Sequence, residues 1–370
     1  MTTDTLFEPA RLGAAELRNR IAMAPMTRNR SGDGNAPVAL NVEYYGQRTG
    51  AGLIIVEGTQ PSAGGLGYPG TPGMHTDAQE QGWKAVVDAV HAGGSAISLQ
   101  LMHTGRVSHP DLLPEGVHPV APSAVAPAGQ VFNGSGLVAY ETPRALSADE
   151  LPGVAREFAD ATTRARRAGF DAVELHGAYG YLLQQFLSSN ANVREDAYGG
   201  SIENRIRFVV EAVAAAVEAG GKDFVGIRLS PGTPQNDVRE DDAQELYLAL
   251  LAALQPLGLA YIHVVESPED AGYSAIDLVR ANWDGLVIAN SGRLAPWTPE
   301  DAAAIVAGGR ADIVAFGRHA LANPDLVERI RTGAPLAEAD PATFYGGDAT
   351  GYTDYPTFAE SEAGQLQSTT

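Results

Sequence analysis

Within the run His176-Gly177-Ala178-Tyr179-Gly180-Tyr181 stand an imidazole and two phenols, separated by small residues. Three hydrogen-bond donors around one small space can hold a carbonyl-bearing ligand and give it a proton. Residue type alone leaves a second reading open: a single histidine is more often structural, and aromatics near a strand end are often core.

Two further segments suit an anion. Ala289-Asn290-Ser291-Gly292 and Ala315-Phe316-Gly317-Arg318 combine small residues, which let backbone N–H groups approach a phosphate, with a guanidinium. Ordinary glycine turns would read the same way. Arg228 ends another apolar run, and a salt-bridged structural arginine is its simplest reading in isolation.

These groups need a scaffold that brings distant segments to one face. Eight short apolar, β-branched runs recur: Ile21–Met26, Leu53–Val56, Ala96–Leu101, Ala172–Leu175, Phe224–Leu229, Tyr261–Val265, Leu286–Ala289 and Ile313–Phe316. Most intervals carry a helix-period segment: Trp83–Ala92, Ala148–Ala168, Ile202–Ala219, Asp241–Leu254 and Pro299–Val306. Strands apolar on both faces and alternating with helices predict a parallel sheet covered by helices. Eight such units predict an α/β fold of the (β/α)8 TIM-barrel type. The polar groups fall at the C-terminal ends of the runs, the face where barrel active sites lie. The Pro/Gly-rich stretch His103–Pro143 breaks the rhythm and is predicted to be an excursion after strand 3 that covers the barrel mouth. Residues 1–358 are expected to form one domain, with a disordered tail at 359–370.

Composition narrows the chemistry. Among 370 residues, 25 Lys+Arg against 45 Asp+Glu give a formal charge of −20, which disfavours nucleic acid and anionic membranes as partners. The absence of cysteine removes disulfides, thiolate metal sites, iron–sulfur clusters and a thiol nucleophile, so redox chemistry needs another cofactor; no metal site is expected. The N-terminal residues lack a signal or transit pattern, which reads as cytoplasmic.

Five motifs can now be read together: Ala24-Pro25-Met26-Thr27-Arg28, Gln100-Leu101-Met102-His103-Thr104-Gly105-Arg106, His176 to Gln185, Asp196-Ala197-Tyr198-Gly199-Gly200-Ser201-Ile202-Glu203-Asn204-Arg205 and Gly351-Tyr352-Thr353-Asp354-Tyr355-Pro356. The chain resembles the old yellow enzyme family of FMN-dependent ene-reductases from about Leu6 to Phe358. That resemblance implies non-covalent FMN at the barrel mouth, NAD(P)H as hydride donor, and an activated alkene as substrate. By position it implies that Pro25, Met26, Thr27 and Gly58 line the flavin, Gln100 bonds its pyrimidine edge, and Arg228 faces its N1 and O2. It also implies a phosphate on Asn290, Ser291, Gly292, Gly317 and Arg318, with an insertion around Arg293–Trp297. His176 matches the substrate-oxygen donor, Tyr181 the acid that protonates the α-carbon, and Tyr352 a pocket-lining aromatic.

Two positions depart from many relatives: Tyr179 stands where His or Asn is common, and Met102 where Trp is common. The first changes the donor pair, and the second removes a rigid pocket wall. Rival readings are a flavin-free barrel lyase or isomerase acting on a phosphorylated substrate, and a non-catalytic flavin-binding protein. The sequence is compatible with a monomer or a homodimer.

Overall fold

The computed structural model describes residues 3–292 and 296–368. Eight parallel strands close into a barrel: β1 (Ile21–Met23), β2 (Leu53–Ile55), β3 (Ala96–Leu101), β4 (Ala172–Gly177), β5 (Val225–Leu229), β6 (Tyr261–Val265), β7 (Val287–Asn290) and β8 (Ile313–Phe316). Neighbours pair in chain order, and β8 pairs with β1 through Val314 opposite Ile21 to complete the ring. The barrel expectation therefore holds, with strand ends moved by a few residues.

Helices α1 (Ala39–Gly46), α2 (Asp77–Ala92) and α3 (Leu151–Ala168) follow the first three strands. After β4 come the short α4 (Leu182–Leu187) and then α5 (Ile202–Gly220). The ring continues with α6 (Ala243–Leu254), α7 (Ala275–Asn282) and α8 (Pro299–Ala307), and after β8 with α9 (Arg318–Ala322) and α10 (Leu326–Thr332). Local signals set several of their ends. Thr76 and Gln79 form a capping box on α2, Thr298 and Asp301 do so on α8, and Gly169 ends α3 in the left-handed region.

Alternation along the strands separates two cores. Ile54, Leu99, Val173, Ile227 and Val314 face the helices. Ala22, Leu53, Ile55, Ala96, Ala172, Tyr261, Ile288 and Ile313 fill the lower barrel, closed from beneath by Leu12 and Leu17 of an N-terminal hairpin. A side chain at Gly226 would meet the Tyr261 ring at 2.6 Å, so this glycine makes room for an aromatic inside the barrel. Moving up the interior, the same faces turn polar: first Ser98 and the Tyr261 hydroxyl, then Gln100 and Glu174, then His176 in register with Arg228 and His263, with Asn290 at the end of β7. The polar end is the C-terminal face.

One expectation gains detail and one needs correction. The excursion after β3 contains structure: Gln130–Phe132 pairs antiparallel with Leu137–Ala139, and Val120–Ala121 pairs with Arg144–Ala145. Its glycines and prolines hid strands only two or three residues long. The tail expected to be disordered forms helix α11 (Phe358–Ser368). Thr357 starts it by presenting its N–H and hydroxyl to Glu360 at 2.8 Å, and the Phe358 N–H donates to Asp325 at 2.7 Å. Of the insertion expected at Arg293–Trp297, residues 293–295 lie outside the described residues.

Candidate active site

Register builds the upper barrel. His176 lies opposite Arg228, and Arg228 opposite His263, so three adjacent strands present basic groups at one level. Glu174, one inward position below His176, accepts from Gln100 Nε2 at 2.7 Å and pairs with His263 Nδ1 at 2.9 Å. Arg228 donates from Nη2 to Asn290 Oδ1 at 3.0 Å, while its buried Nε has no hydrogen-bond partner.

His176 is nearly buried and accepts the Ala178 N–H at Nδ1, 3.3 Å away. This leaves the proton on Nε2, free to donate toward a ligand. Burial first, then the neighbouring charges of Arg228 and His263, hold its pKa well below the usual histidine range, so the ring is a neutral donor. Its ring stands in a T-shaped arrangement with that of Tyr181, with centroids 4.9 Å apart.

Tyr181 caps α4, and its hydroxyl lies 3.0 Å from that of Tyr68, in the loop after β2. Burial is the main cause of a strongly raised Tyr68 pKa, with further contributions from Tyr181, Tyr140 and Tyr345. Tyr140 and Tyr345 thus lie near enough for their charge to bear on the Tyr68–Tyr181 pair. Tyr140 leaves the hairpin of the excursion, whose turn at Gly134 overlies Pro69.

Tyr352 is not a wall of this cavity. Its ring is fully buried, stacked on Tyr44 at 3.9 Å, with the guanidinium of Arg30 4.7 Å from its centroid. Its hydroxyl accepts from Asn41 at 3.0 Å. Arg28 donates to the carbonyls of Phe344 at 2.9 Å and Gly351 at 2.8 Å, so this knot fastens the C-terminal segment to the loop after β1. The aromatic that the segment offers to the mouth is Tyr345, which remains 66% exposed. Sequence reading missed Tyr68, Tyr140 and Tyr345 because loop aromatics have no period; the Phe344-Tyr345-Gly346-Gly347 turn was the available signal.

The other expected residues distribute as follows. Pro25, Met26 and Thr27 form the loop after β1, and Met26 reaches Gly317, whose added Cβ would lie 3.6 Å from the Met26 sulfur. Met102, 3% exposed, folds over Gly58, where a Cβ would meet its Sδ and Cε at 2.6 Å. It is therefore packed against the loop after β2 instead of standing in the opening. Asn290, expected on a phosphate, uses its side chain as a brace: Oδ1 accepts from Arg228 and from the Gly292 N–H at 3.0 Å, and Nδ2 donates to Ala315 at 2.7 Å. Ser291 is nearly buried beside it, Gly292 takes a left-handed φ of 67°, and Gly317 caps α9 without a side-chain bond. Arg318 is exposed at the start of α9.

Tyr179 also takes a left-handed φ, 54°, held by its N–H to Ser230 Oγ at 3.0 Å and by its carbonyl from Asn236 at 2.8 Å. Its ring lies 5.1 Å from the Arg228 guanidinium, and its hydroxyl stands 3.1 Å from the Cβ position of Gly292. The phenol thus spans from the fourth to the seventh loop, with its ring centroid 6.1 Å from that of His176 in a T-shaped arrangement.

The segment 5–337 matches the model of the NADH:flavin oxidoreductase / NADH oxidase family. The chain belongs to that family. Among its relatives, the probable flavin mononucleotide-dependent alkene reductase of Leishmania infantum is 40% identical over 95% of this chain and 97% of its own length. A structure of morphinone reductase in complex with tetrahydroNAD superposes with a TM-score of 0.89 at 47% identity, covering 95% of this chain and 97% of that one. The old yellow enzyme homologue from Zymomonas mobilis superposes with a TM-score of 0.91 at 36% identity, covering 96% and 100%. As a member of the old yellow enzyme family, the chain places the family's barrel beneath its own Tyr-rich mouth. Among the described residues, no group of three or more His, Asp or Glu side chains converges as for a metal ion, and no helix is long and apolar enough to cross a membrane.

Proposed function

We propose that this protein is an FMN-dependent ene-reductase that uses NAD(P)H to reduce the C=C bond of α,β-unsaturated carbonyl compounds and nitroalkenes. The observation that carries the reading is the make-up of the upper barrel: a buried arginine with an unpartnered Nε, in register with a neutral histidine donor that stands beside a hydrogen-bonded tyrosine pair.

The residues fit FMN. Arg228 offers an unused buried N–H, Gln100 offers an amide one strand from Glu174, and Gly292 and Gly317 leave backbone partly exposed at the loops after β7 and β8. Pro25, Met26 and Thr27 would line the ring, and Ser291, Gly292, Gly317 and Arg318 would hold the phosphate. The chemistry FMN supplies when bound is hydride transfer, taken from NAD(P)H and passed to the alkene β-carbon.

His176 Nε2–H binds the substrate oxygen and draws charge from the β-carbon. Tyr181 gives its hydroxyl proton to the α-carbon, so hydride and proton together saturate the bond. Tyr68 holds the Tyr181 hydroxyl in place, and Tyr179 and Met102, packed at the loops after β7 and β2, border the space in which the substrate lies. We place the protein in the cytoplasm, as a single domain over residues 1–358 acting on small molecules.

The test is a visible spectrum of the purified protein, mass analysis of heat-released cofactor, and NADPH consumption with cyclohexenone. A yellow protein releasing FMN and consuming NADPH with the enone is expected. Colourless protein would favour a lyase or isomerase, and a yellow protein inert toward enones a flavin-binding role.

A further inference from the structure

Glu174 has no part in the reaction just described, yet it is a fully buried carboxylate within a strand that otherwise packs on both faces. Removing a charge from water is costly, and an apolar side chain of similar volume would serve stability at least as well. Its partners explain it better than packing does. An ionised carboxylate only accepts hydrogen bonds, so Gln100 must turn its NH2 toward Glu174 and His263 must place a proton on Nδ1. That fixes which way the Gln100 amide is flipped, leaving one N–H and the carbonyl oxygen for another partner. A uracil-like ring edge, with an N–H beside a carbonyl, needs that donor and acceptor together.

Charge acts alongside geometry. Burial pushes the Glu174 pKa up, but His263, Arg228 and Gln100 together outweigh it and keep the group ionised. The influence is reciprocal: a carboxylate that Arg228 stabilises also weakens the positive field Arg228 projects upward.

We propose that Glu174, held by His263, is a positioning residue that sets the flip of the Gln100 amide and moderates the field of Arg228 at the pyrimidine edge of bound FMN. This rests on the FMN reading above.

The experiment measures the two-electron midpoint potential and the FMN dissociation constant of the holoenzyme, of Glu174→Gln and of Glu174→Asp. Glu174→Gln removes the charge and keeps the volume, so reduction should be favoured by on the order of tenfold, a rise of about 30 mV for a two-electron couple. Glu174→Asp keeps the charge but shortens the arm, so the potential should stay near wild type while FMN binding weakens roughly two- to tenfold through the released amide. A wild-type potential in Glu174→Gln overturns the proposal even if that variant melts earlier. Failure of both variants to fold also overturns it, leaving Glu174 a structural residue. A wild type that binds no FMN is recognised before any variant is measured and overturns the functional reading itself.

Discussion

Glu57 offers a test of how the loop carrying Thr27 is held. Its carboxylate is buried at the end of β2, where Oε2 accepts the Arg28 N–H at 3.0 Å and Oε1 accepts from the Tyr45 hydroxyl at 3.2 Å. Burial is the largest influence and raises its pKa from 4.5 to about 7, although Arg28, Tyr45 and Asn29 pull the other way. The folded protein therefore binds this proton more tightly than the unfolded chain does, and stability falls as pH rises from about 4.5 to about 7. At about 1.4 kcal/mol per tenfold, the full loss is about 3 kcal/mol, reached just above pH 7. Glu57→Gln keeps the shape and an acceptor for Arg28 but cannot ionise, so its stability lacks this slope. Urea unfolding of both proteins between pH 4.5 and pH 8 isolates the effect, because every other titrating group is common to the pair. The stability of wild type relative to the variant should drop by about 3 kcal/mol across that range. Parallel curves would refute the reasoning and show that Glu57 stays ionised throughout with its charge fully compensated.

Tyr181→Phe should leave bleaching of the flavin band by NADPH near normal and slow its return with cyclohexenone by roughly 10²–10⁴-fold, as expected for loss of a general acid; equal slowing of both phases in stopped flow would exclude the role. Tyr68→Phe removes one neutral hydrogen bond from that donor, so the same second phase should slow only about two- to tenfold, and a loss matching that of Tyr181→Phe would make Tyr68 the acid instead. His176→Ala should weaken a phenolate ligand, read from its long-wavelength absorbance, by roughly ten- to a hundredfold. Tyr179→Phe should weaken it less, because the Tyr179 hydroxyl faces Gly292; the reverse order would reassign the donor. Met102→Trp cannot keep the Met102 position over Gly58, so the indole should swing into the mouth and depress turnover of bulky substituted enones selectively; an unchanged bulky-to-small rate ratio would place residue 102 outside the pocket.

Which parts of this molecule the sequence disclosed follows from what each residue does physically. Strands such as Ala96–Leu101 and Tyr261–Val265 were legible to the residue because barrel strands are buried on both faces and select β-branched and apolar side chains. Helix α1, Ala39–Gly46, is hard to read from sequence, since its polar residues Asn41 and Glu43 blur the apolar stripe. Tyr352 and Tyr345 lie seven residues apart in one loop, and no period tells which of them packs. The choice is made by Arg28, Arg30 and Arg48, whose guanidinium groups build the stack that buries Tyr352 and leave Tyr345 to the mouth.

Glu174 is the more instructive omission, because its signal was present. His176 belongs at the mouth, and strand alternation puts residue 174 on the same inward face, as it puts Ser98 below Gln100 and Tyr261 below His263. A carboxylate at such a position faces no water and has to find donors on adjoining strands. Gln100 lies beside it on β3, and His263 lies two strands away on β6, across the barrel interior. Reading inward positions as a stack, strand by strand, yields the polar layer beneath the catalytic one from sequence and barrel order alone. The side chain that pairs with each is then a matter of donor and acceptor count, and an acceptor with no donors of its own leaves little freedom in that count.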